Sequence, residues 1–192
     1  DFLRLESQAK SIGWAFASLE NQKSNCYKAC SSGLNVRVNI VAYSNADKVM
    51  SVINMLSDIQ SEFGLRIRIL NDLSRIESSR NNIKTICQKL GAIKNSETLR
   101  KASSNKVETW VSESGMVFET KEEYPYYLDG ICQNCSVKNI CHEGFYGLRL
   151  ESRQGEYFIR LCAYKNSSDV LIPFKKFLSS NIAEEYLRLL VD

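Results

Sequence analysis

Four cysteines in the pattern Cys132-x2-Cys135-x5-Cys141-x20-Cys162 restrict what this chain can fold into more than any other feature. A tight turn between Cys132 and Cys135 aims two sulfurs the same way. The 20-residue gap before Cys162 holds Gly147-Leu148-Arg149-Leu150-Glu151 and Glu156-Tyr157-Phe158-Ile159-Arg160-Leu161 around Arg153-Gln154-Gly155. Two alternating runs about a glycine turn read as a β-hairpin. Folding it returns Cys162 to the neighbourhood of Phe145, four residues past Cys141. Four thiolates meeting at one centre select an iron–sulfur cluster or zinc, because soft ligands hold soft or borderline metals. Zinc would simply staple a small domain.

Seven cysteines in 192 residues is an odd number, and four of them cluster. Clustering favours a metal in a reducing compartment over a disulfide framework, which places the chain in the cytoplasm. The 25 Lys and Arg against 22 Asp and Glu leave a net charge of +3, too even to argue for nucleic acid, and no basic run is interleaved with aromatics. No apolar stretch approaches a membrane span, and no signal segment opens the chain. Its first residues, Asp1-Phe2-Leu3, lack an initiator methionine, so we expect a part of a longer polypeptide.

Upstream of the cysteines the pattern is strand–helix–strand–helix. Residues from about 5 to 31 read as a helix stopped at Gly33. Asn35 to Tyr43 alternates as a strand, and Ser44-Asn45-Ala46-Asp47 resembles a helix cap. Val49, Val52, Ile53, Leu56, Ile59 and Phe63 follow at helical spacing up to Gly64, and Leu65 to Leu70 is a second strand. A further helix runs from Glu77 to Leu90. Short connections of this kind build a parallel sheet or barrel. Val36, Val38 and Ile40 alternate with Arg37 and Asn39, and Leu65, Ile67 and Ile69 with Arg66 and Arg68. A parallel strand buried on both faces is apolar on both. The polar second face therefore points to a cavity that takes a charged ligand, or else to a solvated edge.

Beyond residue 106 the signals are hairpins, Val107–Val111 with Met116–Glu119 and then the pair that ends in Cys162. The tail from Pro173 to Leu190 reads as one amphipathic helix, with Asn181 and Glu184 as its cap pair. The boundary falls at Lys101 to Lys106, dividing residues 1–105 from residues 106–192. Cys26, Cys30 and Cys87 read as core. His142, the single histidine, reads as solvated or as a hydrogen-bond partner of the centre. Tyr124, Tyr126 and Tyr127 read as packing or as a wall around it.

The run from Gly33 to Val41, the capped helix, and the run from Gly64 to Ile69 resemble the later half of a radical S-adenosylmethionine (SAM) barrel. Cys132, Cys135, Arg149-Leu150 and Cys162 resemble the second-cluster region of the GTP 3′,8-cyclase group of molybdenum-cofactor biosynthesis. The resemblance covers about residues 15 to 165. It implies an α/β chain: the later half of a partial (β/α)6-type barrel, then a small α+β cysteine-rich domain. It also implies an auxiliary 4Fe–4S cluster on Cys132, Cys135 and Cys162, to which Cys141 adds a candidate fourth ligand, and a cavity for SAM or substrate lined by Asn39, Arg66, Arg68 and Arg149. A parent enzyme of this kind uses SAM, a second 4Fe–4S cluster and an electron donor such as flavodoxin or ferredoxin.

Three departures qualify the likeness. Cys26-x3-Cys30 lacks the third cysteine of the SAM-cluster motif, since Gly33 stands there. Gly147 replaces an arginine expected to hold a triphosphate, so a small molecule or peptide is a better substrate class than GTP. Cys141 is an additional cysteine: three protein ligands leave one iron open to substrate, whereas a fourth thiolate closes the cluster and suits it to electron transfer or support, and both counts stay open. Two other classes stay open: a zinc-stabilised module without catalysis, and a plain iron–sulfur electron carrier.

Overall fold

The computed structural model describes residues 12–42, 45–145, 147–162 and 170–191. The expected helix start near residue 5, and Tyr43, Ser44 and Tyr146, lie outside them. The chain divides into two compact units, one of residues up to Glu97 with Glu108–Glu122, the other of Thr98–Val107 with Glu123 onward. The boundary expected at Lys101 to Lys106 falls within the Thr98–Val107 segment of the second unit, and Glu108–Glu122 groups with the first. No described helix is long and apolar enough to cross a membrane.

The first unit is a mixed α/β layer. Helix α1 (Ile12–Ser31) runs without a break through Gly13, and Gly33, at φ +80°, ends the turn that follows it. Strand β1 (Arg37–Val41), helix α2 (Ala46–Phe63), strand β2 (Arg66–Leu70) and helix α3 (Ile76–Lys89) follow in the expected order. Asn45 caps α2 by accepting the Lys48 N–H at 3.1 Å, which satisfies one of the free amides of the first turn. Gly64 closes it at φ +69°, donating its N–H to the Gln60 carbonyl at 2.8 Å. The predicted apolar stripe is the buried one: Val49, Ile53, Leu56 and Ile59 pack with Ile40, Leu65, Ile67, Ile69 and Phe118.

The sheet has the order β1-β2-β5-β4-β3, adding β3 (Ile93–Arg100), β4 (Asn105–Val111) and β5 (Val117–Glu123). β1 and β2 are parallel, with Asn39 beside Arg68, and β5 joins β2 in parallel, with Glu119 beside Arg68. The α/β class therefore holds, but this sheet is mixed and its order runs from β1 at one end to β3 at the other. Strand β3 was not foreseen. It is exposed throughout and, apart from Ile93 and Leu99, polar, so no apolar alternation marks it.

The second unit centres on a three-stranded antiparallel sheet of β6 (Arg149–Arg153), β7 (Glu156–Arg160) and β8 (Leu171–Pro173). Leu128, Phe145, Ile159, Leu161, Phe177, Ala183 and Leu189 form its core. The tail is not one helix. It is β8, a short helix α5 (Phe174–Leu178) and α6 (Asn181–Val191). Ser180 breaks it and caps α6, its hydroxyl accepting the Ala183 N–H at 3.3 Å, so the cap lies one residue before the expected Asn181, and Ala183 stands where a pairing side chain would be.

Ile53 is fully buried at the centre of the first core. Ile53→Ala is expected to lower unfolding free energy by about 2–5 kcal/mol in urea denaturation, as cavity-forming core truncations do.

Candidate metal centre

The cysteine segment is built from consecutive tight turns. A short helix, α4 (Asp129–Cys132), brings the Cys132 N–H to the Leu128 carbonyl at 2.7 Å. The Cys135 N–H then bonds the Cys132 carbonyl at 3.2 Å, Lys138 N–H the Cys135 carbonyl at 3.1 Å, and Cys141 N–H the Lys138 carbonyl at 3.2 Å. Each turn advances three residues, so the three thiols stay on one side of a compact knuckle. The fourth arrives through the hairpin: Arg149 pairs with Arg160, Leu150 with Ile159 and Glu151 with Phe158, which carries Cys162 back to the knuckle. Cys132, Cys135, Cys141 and Cys162 line one small cavity of about 20 Å³, walled by Tyr127, Ile131, Val137, Lys138, Gly144 and Leu161.

Glycine at 144 is what lets the knuckle close. Its φ is +60°, and a Cβ there would lie 2.5 Å from the Tyr126 carbonyl oxygen and 2.8 Å from the Tyr126 nitrogen. In that space the Phe145 N–H donates to the Tyr126 carbonyl at 2.6 Å. The Ser104 hydroxyl holds the same two strands of chain, donating to the Phe145 carbonyl while accepting the Tyr126 N–H at 3.0 Å. Tyr127 reaches over the cavity, and its hydroxyl donates to the Cys141 carbonyl at 2.8 Å. Of the three tyrosines considered for a wall, Tyr127 alone lines the cavity, while Tyr124 is exposed. His142 is exposed and is not among the lining residues.

Electrostatics couple the thiols, each thiolate disfavouring the next. Burial pushes the Cys132 thiol up, a backbone hydrogen bond at Leu128 pulls it down, and charge on Cys135, Cys162 and Cys141 pushes it up again. Tyr127 is raised by burial and then by charge on Cys141 and Cys132. None of the seven cysteines is joined in a disulfide. Among the described residues no three Cys, His, Asp or Glu side chains stand close enough to ligate a common ion. The four cysteines therefore line the cavity without closing on a point. The donor set is chemically right for the cluster or for zinc: four soft sulfurs, Lys138 as the one cation lining the cavity, and otherwise apolar walls.

The other cysteines sit elsewhere. Cys30 is buried in the first core with Cys26 packed beside it, and burial followed by the charge of Cys30 raises the Cys26 thiol. Burial, then Glu108 and Glu122, push Cys87 up to about 12, which makes it an inert core thiol.

Asn39, Arg66 and Arg68 share one face of neighbouring strands in the first unit. Asn39 is exposed, Arg66 half-exposed and Arg68 buried. Glu119 was missed by sequence reasoning. It accepts from Arg68 Nε at 2.6 Å and from Arg66 Nη2 at 3.1 Å. Burial works to raise the Glu119 carboxyl, but the hydrogen bonds and charges of Arg68 and Arg66 outweigh it and leave it below the ordinary carboxylate range. No local signal pointed to Glu119, because its role exists only once β5 pairs with β2. Arg66 and Glu119 also border a groove of about 630 Å³ with Gln60, Thr109 and Met116, a groove that Asn39 and Arg68 do not line. Arg149 is an exposed residue of β6 in the second unit, paired in register with Arg160. Gly147 stands at φ +98°, a backbone that an arginine would adopt only under strain.

No family model, curated relative or solved structure matches this chain.

Two outcomes follow from this geometry. Gly144→Ala is expected to destabilise the second unit by about 1–3 kcal/mol and to abolish metal uptake, measured by thermal unfolding and Co²⁺ absorbance. Because the Cys132 thiol is raised, metal must displace protons from it. Co²⁺ affinity is therefore expected to rise steadily from pH 6 to pH 9 and to fall on acidification; affinity independent of pH would contradict it.

Proposed function

We propose that this chain is the C-terminal part of a radical SAM enzyme, carrying an auxiliary 4Fe–4S cluster on Cys132, Cys135, Cys141 and Cys162 and working in the cytoplasm. The observation that carries the reading is that all four cysteines line one cavity, the far one delivered by the β6–β7 hairpin. Further support comes from the parallel β1-β2-β5 core, whose polar face holds Asn39, Arg66, Arg68 and Glu119. On this reading the barrel is completed by the rest of the parent enzyme, which supplies the SAM-binding cluster.

When bound, the auxiliary cluster supplies one-electron transfer. Four thiol ligands leave no coordination position for substrate, so the role of these residues is to hold the centre and exclude water. Tyr127, Ile131, Val137 and Leu161 do the excluding. On the polar face, Glu119 holds both arginine side chains in place. An arginine pair already neutralised in part by a carboxylate is poorly matched to a triphosphate. With Gly147 in place of a further arginine, the substrate is a small molecule or a peptide. The reducing equivalent comes from a flavodoxin or ferredoxin type of donor.

A second reading is favoured by the small free volume of the cavity, about 20 Å³, which is room for a single ion or water. Zinc on the same four thiolates would make a structural module. Anaerobic reconstitution with iron and sulfide separates the two. The expected result is a brown protein with about four irons per chain and the charge-transfer absorption of a cluster. Colourless protein holding one zinc would replace the first reading by the second. Serine at Cys132, Cys135, Cys141 or Cys162 is expected to lose most of the iron, while Cys87→Ser keeps it. The chain carries no Cys-x3-Cys-x2-Cys motif, so incubation with SAM and dithionite is expected to yield no 5′-deoxyadenosine.

A further inference from the structure

The groove of about 630 Å³ in the first unit lies at the amino ends of the parallel strands β2 and β5, where Arg66 and Val117 begin them. Open α/β sheets take their reacting ligands at the carboxyl ends of the strands, so this opening is set apart from the place where such a sheet carries chemistry. Its volume is that of a pocket for a small organic ligand. Helix α2 forms one side, and the turn from β4 into β5 another. Gln60 ties the helix end to the strand, its Nε2 donating to the Val117 carbonyl at 2.6 Å. Leu90, Met116, Val117 and Phe118 supply apolar surface, and Val117 is half exposed there. The charges come from two elements. Arg66 and Arg68 share a single carboxylate, Glu119, so the three together keep one positive charge. That charge is presented by Arg66, because Arg68 is buried whereas the Arg66 side chain is 46% exposed and lines the groove. One bond from its Nη2 to Glu119 leaves the guanidinium further N–H donors. From the helix side, the exposed Asp58 lines the same groove.

We infer that this groove binds an apolar zwitterion of the amino-acid or short-peptide class, its carboxylate on Arg66, its ammonium on Asp58 and its side chains over Met116 and Val117. A strand cation, a helix anion and apolar surface are the three features that such a ligand needs and that a ligand of one charge would use only in part. A planar guanidinium matches a carboxylate in shape as well as charge. A phosphate dianion would bring two negative charges against Asp58 and Glu119, and a simple amine would meet Arg66. The ligand is held, not transformed. The inference concerns the first unit alone and stands whether the cysteines of the second hold iron, zinc or neither.

The test is a titration of the isotope-labelled full chain with leucine and with leucyl-leucine, followed through amide chemical shifts in nuclear magnetic resonance. Shifts are expected at Gly64, Thr109, Met116 and Val117, which line the groove, with a Kd of about 1 mM or tighter for the better of the two. The tighter one identifies the ligand as a single amino acid or a peptide. Blocking either end is expected to weaken binding about three- to tenfold: the carboxylate in the amide of the ligand, the ammonium in its N-acetyl form. Arg66→Gln is expected to abolish the preference for a free carboxylate and to keep the preference for a free ammonium. Asp58→Asn is expected to do the reverse. Both side chains are exposed, and thermal unfolding checks that the variants fold. Should Arg66→Gln unfold, Asp58→Asn with the N-acetyl ligand decides by itself. The inference is overturned by an absence of shifts from both ligands up to about 10 mM, by equal affinity for free and blocked forms, or by folded variants that keep both preferences.

Discussion

Antiparallel pairing of Arg149 with Arg160, and of the residues between them and the turn, is the constraint on which the second unit depends. Without it Cys162 is separated from Cys141, the next cysteine before it, by 20 intervening residues. With it, the strand end meets a knuckle whose own turns present three sulfurs on one side. Register matters here because a slip of one residue would reverse every side chain on the strand. Ile159 and Leu161 would leave the core shared with Phe145 and Phe177, so burial of those residues locks the same register that gathers the thiols. The hydrophobic core and the candidate centre are thus held by one choice of pairing.

A second economy lies in the knuckle. Gly144 brings Phe145 within hydrogen-bonding distance of Tyr126, and that contact sets the neighbouring Tyr127 over the cavity. Backbone approach and cavity wall come from the same few residues. Across the β1–β2 face of the first unit the logic is electrostatic: Arg68 is buried and so requires a counter-charge, which Glu119 supplies from the adjacent strand. A cation left unpaired at that depth would oppose folding. On the proposed reading this pairing also sets what the face can bind, since arginines already engaged by a carboxylate offer a partly neutral, hydrogen-bonding surface.

Much of the architecture was legible along the chain because its signals are local. Asn45 as a cap, Gly64 as a stop, and the stripe from Val49 to Ile59 each act within one helix. The β6–β7 hairpin was readable from two alternating runs about Gln154-Gly155. What escaped detection was non-local or lacked apolar contrast. Strand β3 carries Ile93-Lys94-Asn95-Ser96-Glu97-Thr98-Leu99-Arg100 and is exposed along its length, so its sequence has no buried face to announce. β8 is three residues long and exists only as a partner to β7. The tail looked like one helix because its amphipathic spacing persists across Ser179-Ser180, where the chain in fact breaks and restarts.

The amino-acid order alone determined the ligand candidates, the helix and strand order up to Leu90, and the alternation that puts charge on one face of β1 and β2. These follow from residue chemistry and from periods of 2 and 3.6, which need no distant partner. Tertiary structure alone decided that β5 returns to lie beside β2, that Glu119 answers Arg66 and Arg68, that Arg149 belongs to a different unit from Asn39, and that Cys162 lines the same cavity as Cys132 and Tyr127. Each of those depends on residues far apart in sequence being brought together by burial, and no single segment carries the information for both sides of such a contact.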